Sequence, residues 1–225
     1  MIRTNNLTKL YSPTKGINDF SFNFEKGNVY GLIGPNGAGK TTLIKLITNF
    51  IIKDSGDIIK NFEDNTMLKN ISYMPEFNIL IPGNVKKNIE FFTMTYEDMN
   101  YDTLYKVLKT FEIDLKDNVK SLSTGKIKAL HFALTISRNT KVYIFDEPFS
   151  GIDVITRKKI VNEILKEVNI EDSTIIISSH ELHDMDQLLD EVILLDKSEM
   201  ITSKSVEAIK EENKSLYDWF LSNFL

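Results

Sequence analysis

Gly34-Pro35-Asn36-Gly37-Ala38-Gly39-Lys40-Thr41-Thr42 stands near the front of the 225-residue chain, and its reading governs the rest. The first eight residues fit the pattern G-x-x-x-x-G-K-[ST]. Val29-Tyr30-Gly31-Leu32-Ile33 before them is a short apolar run of the kind that makes a buried strand, and residues 40–50 after them place apolar side chains at helical spacing. Strand, glycine turn and helix therefore follow one another, which is the setting this pattern requires. A phosphate needs many donors converging on one point. Glycines let backbone N–H groups turn inward, a helix N-terminus adds its positive end, and Lys40 can reach the β- and γ-phosphates of a nucleotide. The Thr41 hydroxyl is of the type that holds Mg²⁺ here. Gly34 through Thr42 are the candidate ATP-binding residues.

Upstream, residues 2–11 and 17–24 read as strands, the second alternating Phe20, Phe22 and Phe24 with polar residues before a turn at Glu25-Lys26-Gly27, which predicts an antiparallel β layer. Downstream, Val85, Ile89 and Phe92, then Tyr101, Leu104, Tyr105, Leu108 and Phe111, fall at helical spacing, so the middle third is expected to be an inserted helical subdomain. Val142-Tyr143-Ile144-Phe145, Thr174-Ile175-Ile176-Ile177 and Val192-Ile193-Leu194-Leu195 are unbroken apolar runs separated by helical patterns at 154–168 and 181–189. Such runs suit a parallel sheet covered on both faces. Leu216, Tyr217, Phe220, Leu221 and Phe224 give the tail, 205–224, the pattern of a C-terminal helix packed on the domain.

Val142-Tyr143-Ile144-Phe145-Asp146-Glu147 is an apolar strand ending in two carboxylates. That puts them at the carboxyl edge of the sheet, where ligands of α/β folds bind. Taken alone, such an ending is usually a solvated turn. Beside a phosphate loop it becomes a metal and base pair: Asp146 supports Mg²⁺, and Glu147 polarises the attacking water.

Composition narrows the function classes. A net charge of -5 and a pI near 5.3 argue against a nucleic-acid surface working through bulk positive charge. With no cysteine and only three scattered histidines, thiol and soft-metal chemistry are excluded. No apolar run approaches the roughly 18 residues needed to span a bilayer, and the first residues lack a signal-peptide pattern, so a cytoplasmic protein is expected.

With these elements in order, the chain resembles the nucleotide-binding domain of ATP-binding cassette (ABC) transporters over about residues 2–210. The single-cassette format is similar to bacterial exporter subunits of the bacitracin- and peptide-resistance type. Leu122-Ser123-Thr124-Gly125-Lys126 looks like the family's LSGGQ signature, which caps the γ-phosphate of ATP held by an opposite subunit. Ser150-Gly151-Ile152-Asp153 looks like the D-loop, and His180, closing Ser178-Ser179-His180, like the switch histidine. Tyr11 sits where the family stacks a ring on adenine. Singly each is weak: Leu-Ser before a helix is usually an N-cap, and an aromatic near a strand end is usually core. Their joint order carries the resemblance.

The resemblance implies an α/β fold: a P-loop NTPase (RecA-like) core with an N-terminal antiparallel β subdomain and an inserted α-helical subdomain. The expected division is one domain, 1–225, with 1–75 and 141–225 as the core and 76–140 as the helical and signature part. It implies ATP and Mg²⁺ as cofactors, Thr41, Glu76 and Asp146 as metal ligands, and Glu147, His180 and Glu76 as catalytic residues. It also implies a second cassette, identical or not, and a permease on a separate chain that holds this one at the inner face of the membrane. The surface around Glu76 and Phe77 and the helices to Phe111 would receive that partner, and export of a substrate is the expected direction.

Three residues depart from the family pattern. Glu76 follows Tyr73-Met74-Pro75 where the family has glutamine, and an ionised carboxylate cannot donate a hydrogen bond. Thr124 replaces a signature glycine, and Lys126 replaces the signature glutamine. Two rival readings stay open. One is a soluble ABC-type ATPase, disfavoured by the single cassette and the absence of a heptad arm. The other is a cassette that binds ATP without hydrolysing it.

Overall fold

The computed structural model describes residues 1–62, 67–180, 182 and 185–223. The chain opens as a hairpin in which β1 (Ile2–Ser12) runs antiparallel to β2 (Lys15–Phe24), Ile2 facing Phe24 and Ser12 facing Lys15. The period of two puts Phe20, Phe22 and Phe24 on one face, where the Phe24 ring meets Tyr30 edge-on, 5.2 Å between centroids. β3 (Asn28–Ile33) then enters a second sheet, and α1 (Lys40–Ile47) follows it. β4 (Ser55–Lys60) returns to the far edge of β1, completing a three-stranded layer ordered β2-β1-β4.

A four-residue helix, α2 (Met67–Asn70), leads into β5 (Ile71–Met74). The helical part contains α3 (Val85–Thr95), α4 (Tyr101–Thr110) and α5 (Thr124–Ile136). The rest alternates: β6 (Val142–Asp146), α6 (Val154–Glu167), β7 (Thr174–Ser179), β8 (Glu191–Asp196), β9 (Glu199–Ser205), α7 (Val206–Glu211) and α8 (Leu216–Ser222). Side-chain oxygens of Asn84, Asn100, Ser123 and Asp153 each accept the N–H three residues on, starting α3, α4, α5 and α6. Each such cap contributes about 1 kcal/mol by satisfying one orphan donor.

The second sheet has the order β5-β6-β7-β3-β8-β9; neighbours are parallel except β8 and β9. Val142 and Ile144 pack with Ile176, Ile193, α1 and the hairpin on one side. Tyr143 and Phe145 pack with Ile175, Ile177, Val192 and the helical side on the other. Both faces are therefore covered, which is why these strands read as continuous apolar runs.

Three helical expectations change. α1 stops at Ile47 rather than 50, because the Thr48 hydroxyl donates to Ile44 O at 2.8 Å and Asn49 turns left-handed at φ 53°. Of the pattern at 181–189, Glu181, His183 and Asp184 lie outside the described residues, and 186–188 form a turn rather than a helix. Its apolar spacing serves burial instead: Leu189 fills the space left by the missing side chain of Gly31, where an added Cβ would lie 2.6 Å from Leu189 Cδ1. The tail helix is split into α7 and α8, because Asn213 turns left-handed and Ser215 caps a fresh start by accepting the Asp218 N–H at 3.0 Å. Phe224 lies outside the described residues.

Candidate functional site

The strand order brings four carboxyl ends together. Ile33 of β3 pairs with Ser179 of β7, Ser178 pairs with Asp146 of β6, and Phe145 pairs with Met74 of β5. The loops leaving these strands carry Gly34–Gly39, His180, Glu147 and Glu76. The glycine loop is clamped on both sides by backbone: a Cβ on Gly34 would fall 2.1 Å from Leu195 O, and one on Gly39 would fall 2.2 Å from Gly16 O. Gly39, at φ 116°, is also the N-cap of α1 and brings no capping side chain to compete for the leading N–H groups.

Lys40 is almost completely buried, and its ammonium is correspondingly well partnered. It donates to Gly34 O at 2.6 Å and Pro35 O at 3.2 Å, and lies 3.3 Å from Glu147 Oε1. The other carboxylate oxygen of Glu147 is 2.7 Å from His180 Nδ1. Asp146 Oδ1 accepts from Ser178 Oγ at 2.6 Å and from Thr41 Oγ1 at 3.2 Å.

Burial pushes the Asp146 carboxyl above the usual carboxylate range; the bonds from Ser178 and Thr41 oppose this, while the charges of Glu76 and Glu147 add to it. Tyr73, whose hydroxyl is 3.5 Å from Asp146 Oδ2, is pushed up by its own burial and then by Asp146. The site thus holds oxygen donors and surplus negative charge that a cation would relieve, so its chemistry fits Mg²⁺. Among the described residues no three His, Asp or Glu side chains form an all-protein cage. A cation at Thr41 and Asp146 would complete its shell from phosphate oxygens and water.

Of these groups Lys40, Thr41, Glu76, Glu147 and His180 line one cavity of about 520 Å³. Tyr11 and Lys15 line it as well, together with the glycine loop from Asn36 to Gly39 and Ser150. Tyr11 is 60% exposed, with Lys9 Nζ 5.9 Å from its ring, so it is a rim residue rather than core. Glu76 borders the cavity as an exposed side chain.

The signature candidates are elsewhere. Ser123, Thr124, Gly125 and Lys126 line a second cavity of about 490 Å³ together with Gly151, Ile152 and Asp153 of the D-loop candidate. Leu122 packs partly buried against the core. Ser123 caps α5, its Oγ accepting the Lys126 N–H at 3.3 Å. The Lys126 ammonium donates to Glu112 O at 2.5 Å, two residues past the end of α4, so in this conformation its charge is engaged by a backbone carbonyl of its own chain.

Sequence reasoning missed Lys15, Ser178 as a partner of Asp146, and Lys128, whose Nζ donates to Glu147 O at 2.8 Å. Register could have found Ser178, since it lies two residues before His180 and directly beside Asp146. No local pattern marks Lys128.

The family model described as ABC transporter matches residues 17–150. Over 212 residues the chain is 31% identical to the lantibiotic transport ATP-binding protein SrtF of Streptococcus pyogenes, covering 92% of each chain. It is 29% identical over 238 residues to the bacitracin transport ATP-binding protein BcrA of Bacillus licheniformis, covering 99% of this chain and 76% of that one. Its fold is similar, with a TM-score of 0.77 at 19% identity, to a solved dimeric ATP-binding cassette in a post-hydrolysis state bound to ADP and Pi, covering 92% of this chain and 99% of that one.

Proposed function

This chain belongs to the ABC transporter family, whose ATP-binding domains are ATPases, and from that premise we propose that it powers the movement of a substrate through a separate permease, with Glu147 as the base that activates water. One observation carries the catalytic assignment: the Glu147 carboxylate joins Lys40 at 3.3 Å on one oxygen and His180 at 2.7 Å on the other, at the mouth of the glycine loop.

In this reading Tyr11 receives the adenine ring, and Gly34 through Thr42 wrap the phosphates. Lys40 offers its ammonium to the β- and γ-phosphates. Thr41 and Asp146, with Glu76 nearby, would hold Mg²⁺, which would supply charge neutralisation to the phosphates. Glu147 takes a proton from water as the water oxygen bonds to the γ-phosphorus; the bond to the β–γ bridging oxygen breaks, releasing ADP and phosphate. His180 holds the second oxygen of Glu147, which fixes the direction of the first.

The Ser123–Lys126 cavity lies apart from the Lys40 cavity in the same chain, which supports a head-to-tail pair of cassettes in which each signature covers the other's γ-phosphate. ATP then favours the closed pair because it contacts both, and hydrolysis removes that preference. Phe77, Ile79 and Phe91 are exposed apolar side chains on the helical side, and they offer the permease a docking surface. Kinship with the lantibiotic and bacitracin transport proteins supports export.

The test is Mg²⁺-dependent ATP hydrolysis by the purified chain over a range of protein concentrations, beside Glu147→Gln. Turnover rising more than linearly with protein and lost in the variant is expected. Wild-type turnover equal to that of the variant would overturn the catalytic assignment. A second reading, a cassette that binds without turning over, is favoured by one contact: Lys126 donates to Glu112 O within its own subdomain.

A further inference from the structure

Glu147 adopts φ 50°, a left-handed conformation that a residue with a β-carbon holds only when its surroundings enforce it. Its N–H is gripped from β7, lying 2.9 Å from Ser178 Oγ and 3.2 Å from Ser178 O. Its carbonyl is gripped as well, accepting the Ser150 N–H at 3.3 Å and the Lys128 ammonium at 2.8 Å. Ser150 closes the turn locally. Lys128 comes from a different element, the second turn of α5, whose first turn holds Thr124, Gly125 and Lys126.

We propose that Lys128 is a positioning residue for ATP hydrolysis: its ammonium holds the carbonyl of Glu147 and so fixes the left-handed turn that aims the Glu147 carboxylate between Lys40 and His180. The proposal rests on the reading of Glu147 as the base. A charged donor suits this task, because a charge-assisted bond to a carbonyl is stronger and shorter than a neutral one. It also makes the aim of the base depend on where α5 sits. Three residues further along, His131 Nε2 lies 3.1 Å from Asn78 Oδ1 and 3.3 Å from the Ile79 N–H, in the loop that presents exposed Phe77. Positions i and i+3 share one helix face, so a single face of α5 supports both the catalytic turn and the loop after Glu76.

Deleting the ammonium should leave ATP binding intact while the base loses its aim. Lys128→Met and Lys128→Arg, made in the full chain, are compared with wild type and Glu147→Gln for kcat, KM for MgATP, direct ATP binding and melting temperature. Lys128→Met is expected to lower kcat about tenfold or more with KM and ATP binding within about twofold of wild type, and Lys128→Arg to restore most of the rate. Wild-type kcat in Lys128→Met beside an inactive Glu147→Gln would overturn the positioning role. A rate loss matched by weaker ATP binding and a lower melting temperature, and not rescued by arginine, would assign Lys128 to folding instead and overturn it equally. Glu147→Gln turning over like wild type would strike the base assignment first, and the positioning role with it.

Discussion

The Glu147 carboxylate lies 3.3 Å from the Lys40 ammonium, and the two side chains are 6% and 5% exposed. Removing one member of so buried a pair strands the other charge at a cost of about 3 kcal/mol or more. Lys40→Met should therefore lower the stability of the nucleotide-free protein by that order and abolish ATP binding. Glu147→Gln should cost less than Lys40→Met, because the Lys40 ammonium keeps its bonds to Gly34 O and Pro35 O, and it should bind ATP no more weakly than wild type, since the carboxylate competes with phosphate for the same ammonium. Its turnover should fall about 100-fold or more. Denaturant unfolding and equilibrium ATP binding on both variants check this; an equally stable Lys40→Met protein would refute the pairing.

Gly39 has a more local constraint. At φ 116°, with Gly16 O only 2.2 Å from where a Cβ would sit, Gly39→Ala must push β2 away from the glycine loop. Such strain costs about 1–3 kcal/mol, and the displaced loop should bind ATP poorly. Gly37, also left-handed at φ 86° but with nothing within 4 Å of its added Cβ, provides the contrast. Gly37→Ala should lose less stability than Gly39→Ala, and thermal melting of the two, run side by side, decides it.

The contrast bears on what the sequence could reveal. The glycine loop and the Asp146-Glu147 ending are legible because phosphate and metal chemistry demand particular residue types at fixed local spacing. β3, β6, β7 and β8 are legible because burial on both faces leaves no polar interruption. β4 and β5 are not, because one alternates on a half-exposed edge and the other has only four residues. The spacing at 181–189 misleads because, among the described residues, 186–188 form a turn, and the apolar positions Leu182, Leu188 and Leu189 serve burial. Lys128 is invisible in one dimension: its bond to Glu147 depends on how α5 is laid against the end of β6, and no motif encodes that packing.

His131 is buried on α5, and desolvation, aided by the charge of Lys128, lowers its pKa to about 4. The unfolded chain takes up a proton near pH 6.5, before the folded protein does. The group's contribution to stability is therefore complete above about pH 6.5 and is lost as pH falls toward about 4, by a total on the order of 3 kcal/mol. His131→Gln should flatten the stability profile across that window, read by urea unfolding at a series of pH values. An unchanged slope would place the acid sensitivity elsewhere.

Tyr11 is the site residue whose role depends least on the rest of the fold. It is 60% exposed on β1 at the rim of the Lys40 cavity, so its ring supports little of the core, and Tyr11→Ala should leave the melting temperature unchanged. If adenine stacks on it, the loss should be about 1–3 kcal/mol of ATP affinity, roughly 5- to 150-fold in Kd. Tyr11→Trp should keep or improve binding, because stacking needs the ring and not the hydroxyl. The loss should also be absent for inorganic triphosphate, which has no base to stack. Titrating ATP and triphosphate into the three proteins separates the possibilities. Equal weakening of both ligands would mean that Tyr11 acts on the phosphate loop through the neighbouring turn at Lys15 and Gly16, and ATP binding unchanged in Tyr11→Ala would remove it from the site.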